Sequence, residues 1–410
     1  ETTCVDAYLT PILRAYISKL SKRLPEVPIE FMQSHGGLVS AHLFSGKNSV
    51  LSGPAGGVVG TARTAEKNSK KSVIGFDMGG TSTDVCHYAG QYERHFENEV
   101  NGVKLNIPMM AIETVAAGGG SVVDFDGVNM RVGPESAGSN PGPACYKKGG
   151  PLTVTDCNVL LGKIRPGYFP KTFGVDNKQE IDTAEVIKKF ESLTKAINDS
   201  SDTDMSSEDV AEGFIHIAVS KMADAIRKIS TQKGIDLSNY VLNCFGGAAG
   251  QHACQVADAL GISTILIDEN ASLLSAVGVG CAKISEIKEE TINIQFSEKA
   301  LQKTRTRLLE VKKQLSEKLL KQGIAEENQE TLISFRLKYE GTDDSLEVTL
   351  ASYREMNSQF EKKYNERYGF LEKDSAIIIA SVLVETIGQE NKEDESFPVE
   401  LRAEPKTIGE

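Results

Sequence analysis

The stretch that decides the fold is residues 76–85, which read Phe76-Asp77-Met78-Gly79-Gly80-Thr81-Ser82-Thr83-Asp84-Val85. A strand predicted over residues 72–77 brings an aspartate to its end, and two glycines follow. Because glycine has no Cβ, the backbone there can bend sharply and come close to an anion. An aspartate beside phosphate-cradling amides is the arrangement needed to hold hydrated magnesium or to orient a water molecule. The alternative is a hairpin whose glycines and threonines serve turn geometry alone.

A second glycine-rich turn, FGGAAGQHA at residues 245–253, lies between a strand predicted at 241–245 and a helix predicted at 251–260. Glycines at such a junction let a flat base or a ribose pack on the backbone, although turn geometry alone explains one such pair equally well. A strand predicted at 264–267 completes a β-turn-α-β unit, which is typical of α/β sheets. The two turns are about 165 residues apart, and finding both in this order is far more specific than finding either.

The rest of the chain divides into two predicted domains, 1–285 and a smaller α+β domain at 286–410. We predict helices at 5–23, 182–197, 207–233, 297–322 and 353–367, and strands at 28–33, 331–350 and 376–388. Residues 85–130 show the alternation of strands and hairpins, and 131–151 are a long structured loop rich in glycine and proline. The charge-rich helix 297–322 is expected to be exposed, and 391–410 to be a polar tail or connector.

Composition excludes several classes of protein. The net charge of −12 argues against nucleic-acid binding through a basic surface. The seven cysteines form no CxxC pair and are odd in number, which favours reduced thiols in a cytoplasmic protein. No run of about 18 apolar residues predicts a membrane span, and no signal peptide is evident. The six histidines show no metal-ligand spacing, and His252 alone lies beside a motif.

These motifs together resemble the hydantoinase/oxoprolinase family (hydantoinase A type), a branch of the actin-like ATPase superfamily. DMGGTSTDV (77–85) looks like the family's phosphate motif, and CFGGAAGQHA (244–253) resembles the superfamily's adenosine motif. Further similar stretches are LSGPAGGVVG (51–60), AAGGGS (116–121), VGPESAGSNPGPACY (132–146) and LKYEGTD (337–343). The last two point to the ATP-dependent 5-oxoprolinase branch, rather than to the hydantoinase or ketone-carboxylase branches.

The resemblance implies an α/β, actin-like (ribonuclease H-like) ATPase fold. The family carries two DxGGTxTD motifs and only one is present here, so we expect a first lobe upstream of Glu1 and an incomplete fold in this chain. A hydantoinase B-type subunit or domain is the expected partner, and a homo-oligomer is expected. The implied activity belongs to glutathione metabolism: ATP phosphorylates the amide oxygen of 5-oxoproline, and water then opens the ring to give L-glutamate, ADP and phosphate. The fragment alone is expected to be inactive.

The resemblance also gives the candidate site residues. Asp77 is expected to hold Mg²⁺ directly or through water, and Asp84 to orient magnesium or water. The residues expected to line the phosphates are Gly79, Gly80, Thr81, Ser82 and Thr83, and those expected to contact adenosine are Gly246, Gly247 and Ala248. Two questions stay open: whether 118–121 is an anion-binding turn or a hairpin, and whether Glu113 is catalytic or an ordinary strand residue.

Other functions remain possible from the sequence. The chain could serve a hydantoinase of the N-methylhydantoinase type, or the ATPase subunit of a ketone carboxylase. It could also be a non-catalytic actin-like module that binds nucleotide without turning it over. The intact acidic residues at both ends of DMGGTSTD favour an enzyme over such a module.

Overall fold

The computed structural model of the chain describes residues 1–100, 102–231, 234–372 and 374–389. The described helices, α1 to α9, are Thr2–Arg23, Ser52–Lys67, Val154–Leu160, Thr183–Ser201, Ser207–Thr231, Ala253–Leu260, Leu274–Cys281, Glu298–Leu320 and Tyr353–Tyr368. The described strands, β1 to β15, are Glu30–Met32, Leu38–Ser40, Val73–Met78, Thr83–Tyr88, Arg94–Val100, Val103–Met110, Ile112–Val115, Ser121–Phe125, Met130–Ser136, Val241–Phe245, Thr264–Leu266, Ser285–Gln295, Gln329–Tyr339, Leu346–Thr349 and Ile377–Gly388. The predicted tail at 391–410 and the last two residues of the predicted helix 207–233 lie outside the described residues.

Contacts divide the chain into two compact units. The first comprises Glu1–Ala282 and Arg354–Ser375, and the second begins as Lys283–Tyr353 and resumes at Ala376. The first boundary falls three residues from the predicted limit at 285, whereas 354–375, predicted in the second domain, is grouped with the first unit. No described helix is both long and apolar enough to cross a membrane.

The first unit is built on a five-stranded sheet of order β11-β10-β3-β4-β7. β11, β10 and β3 are parallel, whereas β3, β4 and β7 are antiparallel neighbours. The predicted β-turn-α-β unit is confirmed as β10, α6 and β11. β3 is buried along almost its whole length, as expected for a central strand with both faces covered.

Helix α5 supplies much of the core of the first unit. Its apolar stripe includes the fully buried Phe214, Met222 and Ile226, and it contacts β4, β7 and β9 as well as α3, α4 and α6. The predicted structural role of this helix is therefore confirmed.

Helices α2 and α7 pack with unusually close backbones. A Cβ added at Gly56 would lie 2.5 Å from the carbonyl oxygen of Ser275, and one at Gly60 would lie 2.6 Å from that of Leu274. A Cβ at Gly278 would overlap the backbone of Gly56. The glycines of the stretch LSGPAGGVVG (51–60) lie within α2, and their lack of a Cβ permits this approach.

The second unit contains an antiparallel sheet of order β12-β15-β13-β14, with α8 in contact with β12, β13 and β15. The helix at 297–322 was predicted to be exposed, and this is wrong for one of its faces. The buried residues on that face include Leu308, Val311, Leu315 and Leu319. β12 was not predicted. Its sequence is rich in charge, and its acidic side chains pair with basic residues of α8, as in the bond of Lys318 to Glu286 at 2.9 Å.

The glycine- and proline-rich segment was predicted as loop from residue 131 onward. The structure corrects this, because β9 continues through Ser136 in antiparallel pairing with β8. The loop proper follows β9, and Asp156 anchors it: the Asp156 carboxylate accepts hydrogen bonds from the amides of Ala144 at 3.0 Å and Cys145 at 2.8 Å. The amide of Ala137 donates to the carbonyl of Gly120 at 2.8 Å, which joins the loop to the turn at 118–121.

Candidate functional site

The two glycine-rich turns predicted from sequence lie side by side at the carboxyl ends of β3 and β10. These parallel strands pair with Phe245 opposite Asp77, so each strand delivers its turn at the same edge of the sheet. The amide of Ala248 donates to the carbonyl of Met78 at 2.9 Å, which ties the second turn to the first. Ligands of open α/β sheets bind at this edge, and the sheet therefore brings together residues that are far apart in sequence.

The two aspartates of the first turn face each other across a hairpin. Asp77 is the penultimate residue of β3, Asp84 is the second residue of β4, and the two are directly opposed in the antiparallel ladder. Directly opposed residues project from the same face of a sheet with their Cβ atoms about 5 Å apart. Each carboxylate has one hydroxyl donor: Ser275 donates to Asp77 at 3.0 Å, and Thr114 donates to Asp84 at 2.5 Å.

Burial makes the charged forms of both aspartates costly. Burial raises the pKa of Asp77 above its usual value and the nearby Asp84 raises it further, while the hydrogen bond from Ser275 acts in the opposite direction. Burial likewise raises the pKa of Asp84. A cation beside the pair would relieve this cost. Among the described residues no group of three or more acidic, histidine or cysteine side chains converges, and Mg²⁺ commonly uses only one or two carboxylates together with phosphate oxygens and water. The residues present therefore fit magnesium.

The tip of the first turn offers free amide donors. Gly80 and Thr81 are exposed and Ser82 is half-buried. The amide of Gly79 is occupied, since it donates to the carbonyl of Ser82 at 3.0 Å. No acceptor among the described residues takes the amides of Gly80, Thr81 or Ser82. Successive free amides in a turn form a concavity suited to an anion.

Thr83 has a different environment from the one predicted. Its side chain is fully buried, and its hydroxyl donates to the carbonyl of Ala117 at 2.5 Å. The hydroxyl is therefore committed to the protein interior because β4 has already begun at this residue. The Thr83 side chain therefore faces the interior of the protein and not the tip of the turn, where it was predicted to line phosphates.

The turn at 118–121 supports the first turn from behind. The amides of Gly119 and Gly120 donate to the carbonyls of Gly79 and Gly80 at 3.0 and 2.6 Å. A Cβ at Gly118 would lie 2.6 Å from the backbone of Thr81. Because two of its amides are used in this way, the turn acts as a buttress, which decides against an independent anion-binding turn.

Within the second turn, the three predicted residues occupy different positions. Gly246 adopts φ +87°, donates to the carbonyl of Ala271 at 3.0 Å and touches Asp77, so that an added Cβ would overlap the carboxylate. Gly247 is exposed with open space around its Cα, and Ala248 is half-buried. Gly246 therefore lies beside the aspartate pair, while Gly247 remains accessible to a ligand.

His252 and Glu113 have structural environments. His252 is fully buried, its Nε2 lies 3.1 Å from the amide nitrogen of Asn158, and burial lowers its pKa to about 4. Glu113 pairs with Lys228 at 2.6 Å. His252 thus links the residue before α6 to Asn158 of α3, and Glu113 is an ordinary strand residue in an ion pair.

Sequence reasoning missed the residues that hold the site in place. Ser275 and Thr114 donate to the two aspartates, and Thr155 donates through both its amide and its hydroxyl to the carbonyl of Gly119 at 2.8 Å. Each lies in a segment with no motif of its own. The only available signal was the small-residue stretch that follows Leu273, because such a stretch implies close packing.

The fold and the paired turns define a mixed α/β protein with two glycine-rich turns and two carboxylates at one edge of its sheet. A family model described as hydantoinase/oxoprolinase matches residues 1–288. The chain belongs to this family.

Curated proteins and solved structures agree with that assignment. 5-oxoprolinase 1 of Arabidopsis thaliana is 41% identical over 403 residues, which are 94% of this chain and 32% of that protein. 5-oxoprolinase of Saccharomyces cerevisiae is 41% identical over 397 residues, 95% of this chain and 31% of that protein. The crystal structure of the ATP-dependent caprolactamase from Pseudomonas jessenii has a TM-score of 0.80 at 27% identity, and the match covers 95% of this chain and 58% of that one. The chain spans about a third of the length of the curated relatives it matches.

Proposed function

We propose that the chain is a nucleotide-binding part of an ATP-dependent cyclic amidase, and that its substrate is 5-oxoproline, hydrolysed to L-glutamate as ATP becomes ADP and phosphate. The observation that carries the proposal is the meeting of the two glycine-rich turns at one sheet edge, with Asp77 and Asp84 between them. Two relatives at 41% identity are named 5-oxoprolinase. The proposal for the substrate rests on them.

The geometry supports phosphoryl transfer because that reaction chiefly needs positioning and charge neutralisation. The free amides of Gly80, Thr81 and Ser82 would donate hydrogen bonds to phosphate oxygens, and the glycine at 247 leaves room for adenosine. Asp77 and Asp84 would hold Mg²⁺ directly or through water, and the ion would neutralise charge on the phosphates. The buttress at 118–121 keeps the amides in place before the nucleotide arrives, so little reorganisation is needed on binding.

The actin-like character of the fold and the missing first lobe are parts of the same proposal. An actin-like ATPase closes two lobes on its nucleotide, and this chain carries one phosphate motif of the expected two. We therefore propose that catalysis needs a first lobe outside these residues and a hydantoinase B-type subunit or domain. Homo-oligomer formation and the cytoplasmic location expected from the reduced thiols also belong to the proposal.

A different lactam is the second candidate substrate. It is favoured by the structural similarity to a protein named ATP-dependent caprolactamase.

The proposal is tested by product analysis of the complete polypeptide that carries these residues. It is incubated with ATP and Mg²⁺, and with 5-oxoproline, caprolactam, a hydantoin or a ketone with bicarbonate in separate reactions. Glutamate and ADP forming in equal amounts with 5-oxoproline supports the proposal. ADP forming only with another substrate reassigns the substrate, and nucleotide binding without turnover in any reaction favours the non-catalytic module.

The first turn is tested by Asp77→Ala. We expect the variant to fold and to lose ATP turnover, because one of the two carboxylates that fit magnesium is gone. Asp204→Ala is a matched control, since Asp204 is exposed and far along the chain from both turns. Normal turnover in Asp77→Ala would discard the assignment of the site.

A further inference from the structure

Ser275 donates a hydrogen bond to the Asp77 carboxylate from outside the two turns. It belongs to the first turn of α7, which is 198 residues away from Asp77 along the chain, and its hydroxyl donates to Oδ2 at 3.0 Å. The opposite oxygen, Oδ1, lies against the backbone of Gly246. The carboxylate is therefore held between a hydroxyl on one side and a glycine on the other.

The glycine face of α2 puts Ser275 in this position. Gly56 and Gly60 let α7 approach α2 until the backbones of the two helices are in contact. No space is left for a Cβ at either glycine. A Cβ at Gly57 would lie 3.1 Å from the hydroxyl of Ser275 and 3.1 Å from the ring of Phe245. Larger residues on this face would push α7, and Ser275 with it, away from the sheet edge.

We propose that Ser275 is a positioning residue that fixes the Asp77 carboxylate for the magnesium–nucleotide complex, and that the glycine-rich segment of α2 serves to place it. The inference rests on the proposed function of Asp77. It gives a role to the stretch LSGPAGGVVG, which the nucleotide site itself does not use. The hydroxyl acts through Asp77 and is not expected to touch the nucleotide.

The test compares Ser275→Ala with Ser272→Ala in the complete polypeptide. Ser272 is exposed and precedes α7, and its hydroxyl makes no hydrogen bond to the described residues, so it is a matched control. Half-saturating Mg²⁺ is measured in ATP turnover, and the affinity for ADP is measured with and without Mg²⁺. A hydrogen bond to a charged acceptor is worth about a tenfold change in an equilibrium. We therefore expect half-saturating Mg²⁺ to rise about tenfold in Ser275→Ala and to stay unchanged in Ser272→Ala.

The readout separates positioning from a general structural role. We expect the affinity for ADP without Mg²⁺ to be unchanged in Ser275→Ala, and Ser275→Thr, which keeps the hydroxyl, to restore much of the Mg²⁺ dependence. A magnesium dependence like that of the unmodified protein would overturn the inference, as would an equal loss of ADP affinity with and without Mg²⁺. Asp77→Ala is measured in parallel: if it also leaves turnover unchanged, the proposed function of the site fails, and not only the role of Ser275.

Discussion

Replacing Gly246 with alanine is the perturbation whose consequence follows most directly from the structure. A Cβ at this position would overlap a carboxylate oxygen of Asp77 and would lie 2.6 Å from the carbonyl oxygen of Met78. Ordinary carbon–oxygen contacts begin at about 3.3 Å, so one of the groups must move by about 1 Å. The residue also has φ +87°, a conformation that costs a non-glycine residue about 1–2 kcal/mol.

We expect Gly246→Ala to lower ATP turnover about 100-fold, because a displacement of about 1 Å at a catalytic group has effects of that size. The free energy of unfolding should fall by about 2–3 kcal/mol from the strain and the clash together. Turnover is measured in the complete polypeptide with Mg²⁺ and 5-oxoproline and without urea. A urea melt of each variant gives its free energy of unfolding and shows that the protein is folded under the assay conditions.

The matched control for this change is Gly250→Ala. Gly250 lies in the same turn, has open space around its Cα and is exposed, so alanine there should change the free energy of unfolding by less than about 0.5 kcal/mol. The reasoning is refuted if Gly246→Ala turns over ATP at the normal rate, or if Gly250→Ala loses as much activity as Gly246→Ala.

Two further predictions concern charge and pH. Burial and Asp84 raise the pKa of Asp77, so its charged form is costly at neutral pH. We therefore expect Asp77→Asn to raise the melting temperature of the magnesium-free protein by about 2 °C, and the control Asp204→Asn to leave it unchanged. A lower melting temperature for Asp77→Asn would contradict this prediction. His252 has a pKa lowered from 6.5 to about 4, so its neutral form contributes stability that is complete above pH 6.5 and is lost as the pH falls toward 4, up to about 3 kcal/mol. Urea melts of wild type and His252→Gln across this range should show their difference in stability shrinking or reversing as the pH falls, and a constant difference would count against the neutral buried histidine.

The sequence was most informative where local chemistry and the sheet pattern coincide. The apolar run of residues in β3 and the glycines after it predicted a strand that ends in a turn. The pattern of residues in β10, α6 and β11 predicted a β-turn-α-β unit. Both predictions are confirmed. A central strand that is buried on both faces needs a run of apolar residues, and a sharp turn needs glycine, so both features can be read from the local sequence. The side-by-side placement of the turns was not predicted, because it depends on the pairing of β3 with β10 in one sheet.

The supporting contacts could not be predicted because they depend on tertiary distance. Ser275 has no motif, and its hydrogen bond to Asp77 exists only because the α2 glycines bring α7 within reach. Thr83 looked like the other hydroxyl residues of its motif, yet the start of β4 turns it inward. β12 was missed since its pattern of charges, satisfied by α8, resembles that of a solvated segment.

The measurement that tests the central claim most directly is a crystal structure of the complete polypeptide with Mg²⁺ and a non-hydrolysable ATP analogue. We expect phosphate oxygens within hydrogen-bond distance of the amides of Gly80, Thr81 and Ser82, and the metal bound at Asp77 directly or through one water. Adenosine should lie against Gly247. A nucleotide bound at another place, with the turn after β3 empty, would contradict the account.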